Sequence, residues 1–161
     1  MRTKLKKSLS ILLALVMLVG LLPTVAFAAN QVLSSSTGDK FGTNWSYTAS
    51  SKTLTLDGYS GGDLFTLADD NSVINVTGTN TVTISESADK DIDGIKGNKG
   101  LVIKGNGTLT INVTCTCNDF RNEIKAINAN LGSLTICESV TVNINVTSNN
   151  SDAETYGIYI P

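Results

Sequence analysis

The chain contains no histidine. It therefore has no imidazole to serve a Ser-His-acid triad or to complete a structural zinc site, and three cysteines without histidine support zinc poorly. Those three, Cys115, Cys117 and Cys137, are an odd number and do not make a disulfide framework. Cys115 and Cys117 continue the inward register of Leu109, Ile111 and Val113, so they read as small core residues, and a bridge from either to Cys137 stays open. Basic charge is scarce as well. Past residue 28 there is one arginine, Arg121, and eight basic side chains stand against fourteen acidic ones, a net charge of −6. Nucleic acid and anionic membrane, which need a basic face, are thereby disfavoured as partners. Also lacking beyond residue 28 is any long apolar face of helical period.

The first 28 residues read as an export signal, with Arg2, Lys4, Lys6 and Lys7 ahead of an apolar run from Leu9 to Leu22. Pro23 breaks the run, and Ala26-Phe27-Ala28 places small residues where a signal peptidase reads. The expectation is a signal helix over 1–28, a leader or loop over 29–43, and over 44–161 the first coils of a longer domain, secreted to the cell surface with no membrane contact after cleavage.

What is present is strand periodicity, repeated. Leu109, Ile111 and Val113 alternate with Thr108, Thr110 and Asn112, and related stretches recur from Val73 and from Leu134. Superposition aligns Gly94-Ile95 with Ala126-Ile127 and Gly157-Ile158, and Val73 with Leu101 and Leu134, a repeat of roughly 30 residues. Gly78, Gly105 and Gly107 fall between paired segments, where a solenoid turns a corner. The expectation is an all-β, parallel β-helix. Its first coil is capped by a hairpin from Trp45-Ser46-Tyr47 and Thr53 to Tyr59, and its last coil is left open at Tyr156 to Pro161. That open coil predicts end-to-end self-association. Trp45 serves the cap in this reading, with sugar stacking as the alternative.

The run W-S-Y, T-L-T-L-D-G-Y-S-G (Thr53 to Gly61), V-T-G-T-N-T-V-T (Val76 to Thr83) and K-G-N-G-T-L-T-I (Lys104 to Ile111) resembles secreted carbohydrate-binding β-helix proteins of clostridia and related Gram-positive bacteria. The resemblance implies a right-handed parallel β-helix of the pectate-lyase kind that binds plant or cell-wall polysaccharide such as pectic acid or cellulose, with calcium in some members. It transfers no individual binding residue. A lyase of that kind would need a basic residue to abstract a proton, for which Arg121 is the sole arginine available; an arginine near Asp119 and Glu123 reads more simply as a surface ion pair. The expectation is a non-catalytic polysaccharide-binding module, or else a structural segment of a larger surface protein.

Two further patterns stand out. Asp89-Lys90-Asp91-Ile92-Asp93-Gly94 opens like a calcium loop, but position twelve is Gly100, so an EF-hand is rejected. Counting back four from each aligned isoleucine gives Asp91, Glu123 and Glu154; counting back six gives Asp89, Arg121 and Asp152. Carboxylates stacked on successive coils repel unless a cation or water relieves them, so Asp89, Asp91, Glu123, Asp152 and Glu154 form a candidate Ca2+ edge, against the plainer reading of a solvated loop edge. Threonine pairs such as Thr81/Thr83 and Thr108/Thr110 form rows of hydroxyls that could match an ice lattice, but they read first as strand formers that serve coil stacking.

Overall fold

The computed structural model describes residues 29–87, 90–117 and 122–161. The expected signal segment, Asp89, Asp119 and Arg121 lie outside these residues. The rest is an all-β parallel solenoid of about four turns, three-sided in section, with each turn adding one strand to each of three sheets. The first coil holds β1 (Asn30–Leu33), β2 (Lys40–Gly42), β3 (Trp45–Thr48), β4 (Thr53–Asp57) and β5 (Ser60–Gly61). The second holds β6 (Leu64–Leu67), β7 (Ser72–Thr77) and β8 (Thr79–Glu86), and the third β9 (Ile92–Gly97), β10 (Leu101–Gly105) and β11 (Thr108–Cys115). The fourth holds β12 (Glu123–Ala129), β13 (Leu134–Ile136) and β14 (Thr141–Ser148), and β15 (Glu154–Tyr159) follows. The sheets run β1-β6-β9-β12-β15, β2-β3-β4-β7-β10-β13 and β5-β8-β11-β14. Below they are the first, second and third sheets.

Alternation forces this section. Inward positions such as Leu109, Ile111 and Val113 are fully buried while Thr110 and Asn112 between them are not. Each aliphatic side chain so buried is worth about 2 kcal/mol relative to exposure, and the ladders repeat that gain coil by coil. Ile95, Ile127 and Ile158 share one ladder, as the sequence alignment predicts, and Phe65 joins it. The second alignment slips by one. Leu101, the partner of Leu134, pairs with Ser72, and Val73 stands beside Val102 on the outward side. Ser72 is an inward polar residue, buried because its hydroxyl donates to Asp69 O at 2.8 Å.

The N-terminal expectations are met in part. Trp45 pairs opposite Leu56 and Tyr47 opposite Leu54 in the antiparallel β3-β4 hairpin, all four buried, so the cap is built as expected, with β2 as its third strand. The loop expected over 29–43 is corrected: β1 pairs in parallel with β6 and is the first rung of the first sheet. Leu33, fully buried, drives that pairing, and its Ser/Thr-rich surroundings disguise it. Asp69 ties this rung down, accepting from Ser35 N at 2.5 Å, Ser35 Oγ at 2.9 Å and Tyr47 Oη at 2.9 Å. Cys115 and Cys117 are core residues as expected, but they are joined to each other in a disulfide, with Cα atoms 5.3 Å apart. Cys137 is free and half-buried.

Asn80 is the second inward polar residue of note, occupying the place that Leu109 and Val142 hold in the next two coils. Its Oδ1 accepts from Tyr59 N at 2.8 Å and its Nδ2 donates to Thr77 O at 2.9 Å, so it pins the corner between the cap and β8. Asn80→Leu, although it copies the next coil, strands these buried groups and is expected to cost about 2 kcal/mol in urea unfolding.

The third sheet's outer face is uncharged and regular. Thr79, Thr108 and Thr141 form one row, Thr81, Thr110 and Asn143 the next, and Thr83, Asn112 and Asn145 a third. Asn145 Nδ2 donates to Asn112 Oδ1 at 2.8 Å, an amide ladder that stitches coil to coil.

Candidate functional site

The acidic row falls on the outer face of the first sheet. Glu123 and Glu154 are register partners, and Asp91 precedes Ile92, the partner of Ile124, so the three carboxylates occupy one position on successive coils. Each has its own donor. Asp91 Oδ1 accepts from Glu123 N at 2.9 Å, Glu123 accepts from Lys125 Nζ, and Glu154 accepts from Tyr156 Oη. Asp152 lies in the turn before β15, exposed, with its N–H donating to Asn150 Oδ1 at 3.0 Å. Among the described residues no three acidic or cysteine side chains converge as metal ligands.

Sequence reasoning missed the residues that flank this row. One ladder carries Asp93, Lys125 and Tyr156; another runs across all five strands as Val32, Thr66, Lys96, Asn128 and Tyr159. The kink at Gly94 brings the two ladders together. A Cβ there would stand 2.7 Å from Ala126 O, so the coils close up only around glycine. Lys96 Nζ then reaches Asp93 Oδ2 at 2.9 Å, and Asn128 Nδ2 reaches Asp93 Oδ1 at 2.8 Å. Lys125, only 5% exposed, lies with its ammonium 4.5 Å from the centre of the Tyr159 ring, and Tyr156 and Tyr159 pack edge to face at 5.0 Å. Asn128 Oδ1 is buried and accepts no hydrogen bond from the described residues. The signal was available in the sequence, two places before and one after each aligned isoleucine.

The electrostatics follow from these contacts. Burial works to lower the Lys125 pKa, but the Glu123 hydrogen bond and the charges of Glu123, Asp93 and Asp91 outweigh it and hold the ammonium above the usual lysine range. The Glu154 carboxylate pushes the Tyr156 phenol up to about 12, with smaller contributions from burial and the charge of Glu123. Burial raises Tyr47 and Tyr59 further. For Asp69, burial opposes ionisation, but the donors Ser35 and Tyr47 together hold its carboxyl below the ordinary value. The signs then fix a pH profile. Groups raised in the folded state keep their contribution below the unfolded pKa and lose it as pH climbs to the folded one, so stability declines above about pH 10. Asp69 acts oppositely, with its contribution complete above about pH 4 and lost as pH falls through its folded pKa. Urea midpoints measured against pH should show both limbs, with Asp69→Asn flattening the acid one and Glu123→Gln shrinking the alkaline one.

The resulting face offers aromatic edges, the half-exposed Lys96 ammonium and four carboxylates, beside a hollow of about 460 Å³ bordered by Val32, Thr66, Lys90, Asp91 and Lys96. No helix among the described residues is long and apolar enough to cross a membrane. No protein-family model matches the chain, and no curated protein and no solved structure matches it.

Proposed function

We propose that the protein is an exported, non-catalytic module that binds an acidic polysaccharide at the bacterial surface through the outer face of the first sheet. The observation that carries this reading is the Tyr156/Tyr159 pair. The two rings pack edge to face at 5.0 Å with the Lys125 ammonium 4.5 Å from the centre of Tyr159, a combination of aromatic ring and cation suited to sugar rings and carboxylates. The carboxylates repeating at Asp91, Glu123 and Glu154 support a bridging role for Ca2+ between this edge and an acidic polymer. Retention of the purified chain on pectic acid and on cellulose, with and without calcium, tests it. Expected is calcium-dependent retention on pectic acid that falls at least about tenfold, roughly 1.4 kcal/mol, in the Tyr156→Ala/Tyr159→Ala pair. Retention on neither polymer would favour the structural-segment reading. That second reading draws on Ile136, Ile158 and Ile160, which stand exposed at the last strands of the second and first sheets. It expects end-to-end association of the isolated chain in light scattering.

A further inference from the structure

At the cap, remote from the first sheet's tyrosines, a cleft of about 330 Å³ opens between the β2-β3 hairpin and the corner that joins β5 to β6. Glycine keeps it open. A Cβ at Gly42 would stand 2.0 Å from Trp45 Nε1, and one at Gly61 would stand 2.5 Å from Tyr59 Oη. Three features of the cleft bear on a ligand. Phe41, at its edge, is 75% exposed, the most exposed large apolar side chain among the described residues. Trp45 is only 8% exposed, yet its indole N–H donates to no group among the described residues. Asp63 accepts only from neutral donors, Gln31 Nε2 at 3.2 Å and Tyr59 Oη at 3.0 Å, and no lysine or arginine among the described residues pairs with it. Its negative charge is thus positioned and uncompensated.

We infer that this cleft binds one amino-sugar unit, a 2-amino-2-deoxyhexose, with its apolar ring face on Phe41. The indole N–H of Trp45 donates to a sugar oxygen, and the ammonium sits on Asp63. A small hydrogen-bonding volume at the low end of ligand sites, about 300–1,000 Å³, suits a single ring better than a chain. The indole N–H, which donates to no group among the described residues, can give its hydrogen bond to a ligand oxygen in place of water. The uncompensated carboxylate selects a cation over a neutral hexose, and an aromatic neighbour strengthens that preference. This site shares no residue with the first-sheet tyrosines and lysines, so it stands whether or not that face binds pectic acid.

The test is titration of the purified chain with glucosamine disaccharide, its N-acetylated counterpart, cellobiose and spermine, followed by the fluorescence of Trp45, the only tryptophan. Expected is saturable binding of the glucosamine disaccharide with a change in Trp45 emission, at least tenfold weaker for the acetylated and neutral disaccharides. Asp63→Asn, which keeps an acceptor for Tyr59 and Gln31, should lose at least tenfold in affinity. Phe41→Ala, a surface change that leaves folding intact, should lose several-fold. Equal binding of all three disaccharides would overturn the inference. So would equal competition by spermine, which carries charge without a ring, unchanged binding by Phe41→Ala, or no binding of the glucosamine disaccharide at millimolar concentration.

Discussion

Gly105→Ala should remove about 4 kcal/mol of stability, a large share of a domain total in the range of roughly 5–15 kcal/mol. Gly105 closes β10 at the corner leading to β11, with φ +121°, a backbone region that L side chains rarely enter. Residues held there against preference cost about 1–3 kcal/mol. The steric term adds to this. Gly105 pairs with Val76, and a Cβ would stand 2.1 Å from Val76 O and 2.8 Å from Val76 N, so β7 and β10 would have to separate. Val76 O also accepts from Asn106 N and Gly107 N, both at 3.1 Å, while Gly105 O accepts from Ser139 Oγ at 2.6 Å, so one methyl group disturbs three successive coils at one corner. Urea unfolding followed by far-UV circular dichroism measures the loss. Gly38→Ala is the control: Gly38 also has positive φ, at +77°, but a Cβ there meets nothing within 4 Å, so only the backbone term should appear.

The corner glycines were legible in the sequence because a solenoid must turn where its strand pattern is interrupted, and Gly78, Gly105 and Gly107 stand at that interruption. The isoleucine ladder was legible for a similar reason. Ile95, Ile127 and Ile158 are apolar in every coil, so the alignment could not slip. Where an inward position is polar, the pattern gives no warning. Ser72 and Asn80 face inward because backbone groups at corners need partners there, and a reading that seeks apolar residues inside moves Val73 into the place of Ser72. Asn30–Leu33 escaped notice because a four-residue strand carries one buried side chain, too few to show a period.

The candidate site divides along the same line. Asp91, Glu123 and Glu154 are alike in charge and could be lined up by counting. Lys125, Asn128 and Tyr159 stand at fixed offsets from the aligned isoleucines but differ in chemistry from coil to coil, so counting could place them without marking them, and only the kink at Gly94 brings their ladders within reach of each other. Of the cap cleft only Trp45 was visible in the sequence, as a candidate for sugar stacking. The cleft's Asp63, Trp45 and Phe41 come from separate segments that the antiparallel hairpin folds over the first coil.

Phe65→Ala is the matching prediction for that end of the molecule, with an expected loss of about 4 kcal/mol. Phe65 is fully buried at the start of the isoleucine ladder, and two other rings rest on it: Trp45 at 5.5 Å and 77°, Tyr59 at 5.5 Å and 69°. Edge-to-face pairs of this kind add about 0.5–1.5 kcal/mol beyond burial, and the parallel pairing of β6 with both β1 and β9 limits how far the hole can collapse. The cap therefore loosens first. Trp45 emission should shift to the red in Phe65→Ala at urea concentrations where the β-sheet signal from the later coils persists, and glucosamine binding at the cleft should weaken with it, because Phe65 holds the rings of Trp45 and Tyr59 in place. Phe65→Leu, which refills most of the volume without an aromatic edge, should recover roughly half of the stability. Loss of both signals at a single urea midpoint in Phe65→Ala would show instead that the cap and the coils unfold as one unit. The cap would then be the nucleus on which stacking depends rather than a lid placed over it.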